Sequence, residues 1–250
     1  MSVTITAADI NKLRQTTGAG MLDCRKALTE SNGDFEAAID WLRKQGQKVA
    51  AKRSDREAKE GVVIAQTTAD HKSGIVLCIS CETDFVSKNA DFVAFAQSIA
   101  DAAIANDVKT AEELNGVTVN GAKVEELIND KLAAIGEKIA VSKFERVDAP
   151  YVASYIHGAN RMGVLVSMTK EAAEAGKDVA MQIAAMNPLA VDETSISQET
   201  KDREKAIAIE MIKAEGKPAE MAEKIADGKM NKFFKDNTLM HQAFVKDNSK

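Results

Sequence analysis

Two cysteines three positions apart, in Cys78-Ile79-Ser80-Cys81, are the residues whose types and spacing come nearest to a reactive centre. A dithiol redox pair needs converging sulfurs, with the nucleophilic thiol at a helix N-terminus that lowers its pKa. The run Ile75 to Cys81 is apolar and strand-like, and side chains three apart on a strand point to opposite faces. Buried structural thiols fit better than redox chemistry. Zinc fits no better, because there is no second close cysteine pair and His71, His157 and His241 are scattered. Gly18-Ala19-Gly20 follows a helical pattern rather than a strand and lacks the third glycine of a dinucleotide loop. No GxxxxGK[ST] loop, GxSxG elbow or HExxH pair occurs, and the 38 acidic residues single out no catalytic pair without a pocket. The expectation is a non-enzymatic interaction protein with no catalytic residue, metal, cofactor or directly bound nucleotide.

One other stretch stands out. In CETDFVSKNADF, residues 81–92, Phe85 lies in a polar turn beside Asp84, Ser87, Lys88 and Asn89. Such a ring is buried locally, structurally irrelevant or meant for something else.

The elements that would carry these residues are mostly helical. At 250 residues and 45% hydrophobic, the chain can bury a substantial core, but with 4% aromatic residues that core must be aliphatic and Ala-rich. The net charge of −5 argues against a general nucleic-acid binder, though not against a local basic strip. No apolar run approaches the roughly 18 residues of a membrane span. The N-terminus lacks a basic region followed by an apolar one, and three cysteines point to reduced thiols, so a cytoplasmic location is expected.

Residues 5–46 read as three short helices, with Asp34 as the N-cap of a segment in which Phe35, Ala38, Ile39 and Leu42 repeat at helical spacing. Lys44, Lys48, Lys52 and Arg56 then form an i, i+4 stripe, read as a solvated linker helix or, alternatively, as an RNA- or ribosome-binding strip. From Gly61 the period changes to two: residues 62–68 and 75–81 flank a polar tip as a hairpin. Helices are expected from Phe92 and over 124–135, strands over 138–147, 151–156 and 162–168, and a helix over 178–186 that stops at Asn187-Pro188. Gly74-Ile-Val-Leu and its following helix recur weakly as Gly163-Val-Leu-Val and theirs, suggesting two similar α+β subdomains. Residues 198–215 and 219–234 read as an antiparallel helical hairpin with seams at Ile207, Met211 and Ala214 and at Met221, Ile225 and Phe233, broken at Gly216-Lys217-Pro218. The fold class is thus α+β: a three-helix N-terminal bundle with a basic linker (1–54), a core of two similar subdomains (55–147, and 148–195 with 237–250) and a protruding hairpin arm (196–236).

These residues also carry a resemblance. Leu13-Arg-Gln-Thr-Thr-Gly-Ala-Gly-Met-Leu-Asp-Cys-Arg-Lys-Ala-Leu28 closely resembles the N-terminal signature of the bacterial elongation factor Ts family. Thr83-Asp-Phe-Val-Ser-Lys88 resembles its second signature, and Ser154-Tyr-Ile-His-Gly158 with Gly163-Val-Leu-Val matches a third stretch. The resemblance is collinear over essentially the whole chain. It departs at Cys78 and Ser80, where the family usually has Glu and Asn. It departs also at the end, where the family carries a further helix and strand beyond the position of Lys250. The second subdomain is therefore expected to be truncated or closed differently.

The resemblance implies guanine-nucleotide exchange on elongation factor Tu, the GTPase that delivers aminoacyl-tRNA, with no membrane and no stable nucleic-acid partner. It implies that the bundle is of ubiquitin-associated type and the arm a coiled coil. Thr83, Asp84, Phe85 and Val86 would meet the GTPase near its Mg²⁺ and phosphate site, with Phe85 inserting as a wedge and Asp84 holding the turn in register. Arg14, Met21 and Leu22 would grip a helix of the GTPase domain. Ile135 matches a contact position, and His157 one that docks on another GTPase domain. On their own, Leu22 and Ile135 read equally as core residues and His157 as a solvated turn residue.

Overall fold

A computed structural model describes residues 4–53, 55–216 and 218–247, and its contacts divide after Ala172 into two compact units. Met1–Val3, Lys217 of the expected helix break and Lys250 lie outside the described residues. The protein is α+β as expected, with small antiparallel sheets in the first unit and helices in both.

The first unit contains, in chain order, α1 (Ala7–Thr17), α2 (Met21–Glu30), α3 (Phe35–Arg53), β1 (Glu60–Thr67), β2 (Ser73–Cys81), α4 (Asp84–Ser87), α5 (Ala90–Ala105), α6 (Ala111–Gly116), β3 (Thr118–Val119), β4 (Ala122–Lys123), α7 (Val124–Ile135), β5 (Ala140–Asp148), β6 (Tyr151–His157) and β7 (Met162–Met168). Thr6 opens α1 with a capping box: its hydroxyl accepts the Asp9 N–H at 3.2 Å, and the Asp9 carboxylate accepts the Thr6 N–H at 3.0 Å. Gly18, at φ 68°, closes the helix by donating its N–H to the Arg14 carbonyl at 2.8 Å. Leu13, Cys24, Ala27, Leu28, Ala38 and Leu42 form the core of the three helices. Among the described residues only Leu13 and Leu28 are both large and fully buried there. At about 1.5–3 kcal/mol for each such side chain, this is a thin core, and α3 gains further burial by packing along α7.

That packing explains a difference from the sequence pattern, which ended the third helix near Lys44 and began a separate linker. α3 instead runs unbroken to Arg53. Gly46, the one helix-weakening residue on the way, sits where α3 crosses α7; a Cβ there would lie 2.9 Å from the Ala133 Cβ. The glycine is what lets the helices approach, and its neighbours keep it helical against a propensity cost of about 1 kcal/mol.

β1, β2 and β5 form an antiparallel sheet in the order β1-β2-β5, with Val62 opposite Ile79 and Leu77 opposite Phe144. Its buried face presents Val62, Ile64, Ile75, Leu77, Ile79 and Cys81 to Phe92, Ala96, Ile99 and Ala103 of α5. This is the period-two pattern meeting the helical one across a core. The alternate face of β1, with Val63 and Ala65, meets the β6–β7 hairpin. Gly163 makes the approach possible, since a Cβ there would fall 2.8 Å from Val63 Cγ1. The hairpin therefore lies in the first unit, whereas the sequence pattern grouped it with residues up to 195. α6, β3 and β4 carry too little periodicity to be read in advance.

The second unit contains α8 (Ala173–Met186), a 3-10 turn at Glu193–Ser195, α9 (Gln198–Ala214) and α10 (Ala219–Asn237). Ser197 caps α9 by accepting the Thr200 N–H at 3.2 Å, and Pro218 stands at the N-cap of α10. α9 and α10 pack through Ala208, Ile212, Ala222 and Ala226, with Ile209 and Ile225 beside them. Ile225 packs as expected, but much of the expected seam is displaced by one residue: Ile207, Met211 and Met221 face outward, each 44% exposed or more. Small alanines let the two helices come close around the fully buried Ile212, and the longer Ile207, Met211 and Met221 are turned out. Buried Gln182 of α8 holds the segment after α10, accepting the Val245 N–H at 2.7 Å and donating to the Ala243 carbonyl at 3.1 Å.

Candidate functional site

The turn that follows β2 treats its successive side chains differently. Thr83, extended at φ −121° and ψ 154°, leads into the single helical turn α4. Asp84 is held by Lys88 in an ion pair of 2.6 Å, and this hydrogen bond and charge keep its carboxyl below the usual value. Phe85 points outward and is 85% exposed. Val86 packs against the sheet core, and buried Ser87 donates its hydroxyl to the Asp84 carbonyl at 3.2 Å. Asn89 then caps α5 by accepting the N–H groups of Asp91 at 2.8 Å and Phe92 at 3.3 Å. The backbone is thus pinned on both sides of a ring that has no local burial.

The turn is also braced from a distance. The Glu137 carboxylate, in the loop after α7, accepts the N–H groups of Glu82 and Thr83, each at 3.0 Å, and the Thr83 hydroxyl at 2.6 Å. The Glu82 carboxylate accepts the Lys138 N–H at 2.7 Å and hydrogen bonds from Arg53 at 2.8 Å and Arg56 at 3.0 Å. The Lys138 N–H, with the two arginines, holds this carboxyl down at about 2. Sequence reasoning passed over Glu82 and Glu137, because no local pattern signals a partner 54 positions away. Arg56, counted in the basic stripe, is engaged here, while Lys44, Lys48 and Lys52 are exposed on α3.

Phe85, Val86 and Ile135 line one open groove of about 970 Å³, whose other wall includes Gly18, Ala19 and Trp41 of the bundle. Met21 (56% exposed) and Leu22 (82% exposed) begin α2 next to that wall, and Arg14 is exposed on α1. A core role for Leu22 is excluded; Leu13, Cys24 and Leu28 fill that place. Ile135 is half-buried and packs against the sheet core while lining the groove. Of these exposed apolar side chains Phe85 lines the groove, while Met21 and Leu22 stand outside its lining. His157 stands apart from the groove, at the end of β6, with its Nδ1 2.9 Å from the Tyr155 hydroxyl.

The two thiols of β2 do not converge. Cys81 joins Leu77 and Ile79 in the sheet core, whereas Cys78 is half-buried and outside it. Burial pushes the Cys81 thiol up to about 11, and the charges of Glu137 and Glu60 add to it. Among the described residues no group of histidine, cysteine and acidic side chains could hold a metal ion, and no helix is long and apolar enough to cross a membrane.

Comparison with known proteins gives the family. The family model described as Elongation factor TS matches residues 82–250, beginning at the braced turn. The chain is 50% identical to the Elongation factor Ts of Christiangramia forsetii over 247 residues, 98% of this chain and 89% of the relative. It is 50% identical to that of Cytophaga hutchinsonii over 252 residues, covering 99% and 91%. With the Elongation factor Ts of Clostridium perfringens it shares 44% identity over 254 residues, covering 98% and 84%. With a family model over residues 82–250 and relatives 50% identical along almost its whole length, this chain belongs to the elongation factor Ts family.

Proposed function

We propose that the chain acts on elongation factor Tu and that the Phe85 ring is the wedge with which it drives GDP out. Guanine-nucleotide exchange itself comes with membership of the elongation factor Ts family. The observation that carries the wedge is the exposure of Phe85, 85%, on a turn whose backbone is fixed on both sides.

The physical requirement is differential binding. GDP is held in the GTPase by a phosphate loop and a Mg²⁺ ion that neutralises phosphate charge. A partner that binds the nucleotide-free form more tightly than the GDP form weakens GDP by the same factor. Every 1.4 kcal/mol of that difference is about tenfold in GDP affinity. A rigid ring inserted beside the metal-supporting region supplies such a difference, because its cavity exists only when that region has moved. Thr83, Asp84 and Val86 hold the ring in register.

The remaining contacts dock the two proteins. Arg14, Met21 and Leu22 grip a helix of the GTPase domain, and the flexible thioether of Met21 suits an adaptable contact. Ile135 extends this surface along the groove, and His157 meets a second domain of the GTPase. The bundle is read as a ubiquitin-associated-type domain and the α9–α10 pair as a coiled-coil arm; the small cores of both suit partner-facing modules. The chain contributes binding energy and breaks no bond itself. Release of labelled GDP from elongation factor Tu, followed by stopped flow with this chain added, tests the reading: acceleration supports it and an unchanged rate refutes it.

A further inference from the structure

Two carboxylates cross at the root of the Phe85 turn. Glu137 binds the backbone N–H groups of Glu82 and Thr83, while Glu82 binds the backbone N–H of Lys138, next to Glu137. Each acid therefore holds the other's chain segment. The mutual repulsion of two such carboxylates is offset by Arg53 and Arg56 on Glu82 and by the N–H dipoles.

A second observation points the same way. Thr83 is the N-cap of α4, where a threonine hydroxyl ordinarily accepts an N–H from the first turn. Here the side chain makes no such bond; its hydroxyl is donated to Glu137 at 2.6 Å. The capping interaction of the helical turn is given up so that the strand-to-turn junction can be tied to a distant loop. Arg53 extends the tie to the last residue of α3, the long helix of the bundle.

We propose that Glu137 and Glu82 are positioning residues for nucleotide exchange, a crossed carboxylate clamp that presents the Phe85 ring already set for insertion. This rests on the wedge reading above. A clamp of this kind acts on the insertion step and not on the surfaces that first dock the GTPase. Loosening it lowers the fraction of chains with the ring correctly placed, and the insertion equilibrium falls by that same fraction. The maximal rate of GDP release then drops while the half-saturating concentration of the chain holds.

The test is stopped-flow release of labelled GDP from elongation factor Tu, titrated with the full chain and its variants. Glu137→Ala is expected to lower the maximal rate about tenfold, with the half-saturating concentration changed less than about twofold. Glu137→Gln, which keeps a carbonyl acceptor, recovers most of the rate. Thr83→Val, which removes only the hydroxyl, costs about threefold. In a Phe85→Ala background, Glu137→Ala adds nothing, because no ring remains to be placed; a merely structural role would add its full effect there. A wild-type maximal rate for Thr83→Val, or full additivity of Glu137→Ala with Phe85→Ala, overturns the clamp. Thr83→Val carries the test if Glu137→Ala does not fold. If Phe85→Ala itself releases GDP at the wild-type rate, the wedge falls and the clamp with it; if Phe85→Ala is slow and the Thr83 and Glu137 variants are not, only the clamp falls.

Discussion

Phe85 and Val86 are adjacent on one helical turn and differ sharply in burial: the Val86 side chain packs against the sheet core, and the Phe85 ring is 85% exposed. Folding therefore has little use for the larger side chain. Phe85→Ala should change stability by less than about 0.5 kcal/mol, whereas Val86→Ala should cost about 1–2 kcal/mol. Chemical denaturation of the two variants checks this. A loss of more than about 1 kcal/mol for Phe85→Ala would mean that the ring is a structural residue.

The Glu82 carboxyl gives the turn a pH dependence. Its folded value, about 2, lies below its ordinary 4.5 because the Lys138 N–H, Arg56 and Arg53 favour the charged form. A depressed acid stabilises the fold fully above its unfolded value and loses that contribution as pH falls through the folded one. Stability from Glu82 should thus be constant above about pH 5 and decline between 4.5 and 2. Denaturation of wild type and Glu82→Gln at stepped pH should show a shallower acid decline for the variant; equal slopes would remove Glu82 from the account.

Two helical glycines should respond to alanine with opposite sign. Gly228 in α10 has open space where a Cβ would go, so Gly228→Ala should stabilise by about 0.5–1 kcal/mol. At Gly46 the new Cβ would meet Ala133 at 2.9 Å, and the strain should outweigh the propensity gain, for a net loss of about 1 kcal/mol. Stabilisation by both would show that α3 and α7 are free to move apart.

Cys81 should be inert. With its thiol near 11, about one molecule in a thousand carries the thiolate at pH 8. Iodoacetamide labelling read by mass spectrometry should be at least about 100-fold slower at Cys81 in the native chain than after denaturation. Rapid native labelling would reopen the thiol chemistry that strand geometry argues against.

What could be read in advance followed from local pattern. The alternation of Val62 to Cys81 announced a hairpin, and the polar neighbours of Phe85 marked the ring as a residue to explain without deciding its burial. What could not be read came from packing between distant segments. Nothing near Glu137 signals that it braces Thr83, and nothing near Gly46 signals a helix crossing. In the α9–α10 pair the larger residues Ile207 and Met211 suggested the seam, but close approach favoured Ala208 and Ala222 and moved it by one residue. Both signature stretches were legible as surface only in part: Leu22 has a core residue's chemistry and an 82% exposed position.

The central claim is that an exposed, pre-set Phe85 ring opens the nucleotide site of elongation factor Tu. The most direct test is the rate of labelled GDP release at saturating concentrations of the wild-type chain and of Phe85→Ala. Release should be rapid with wild type and at least about tenfold slower with the variant, equivalent to about 1.4 kcal/mol of lost differential binding. Equal rates from two equally folded proteins would contradict it.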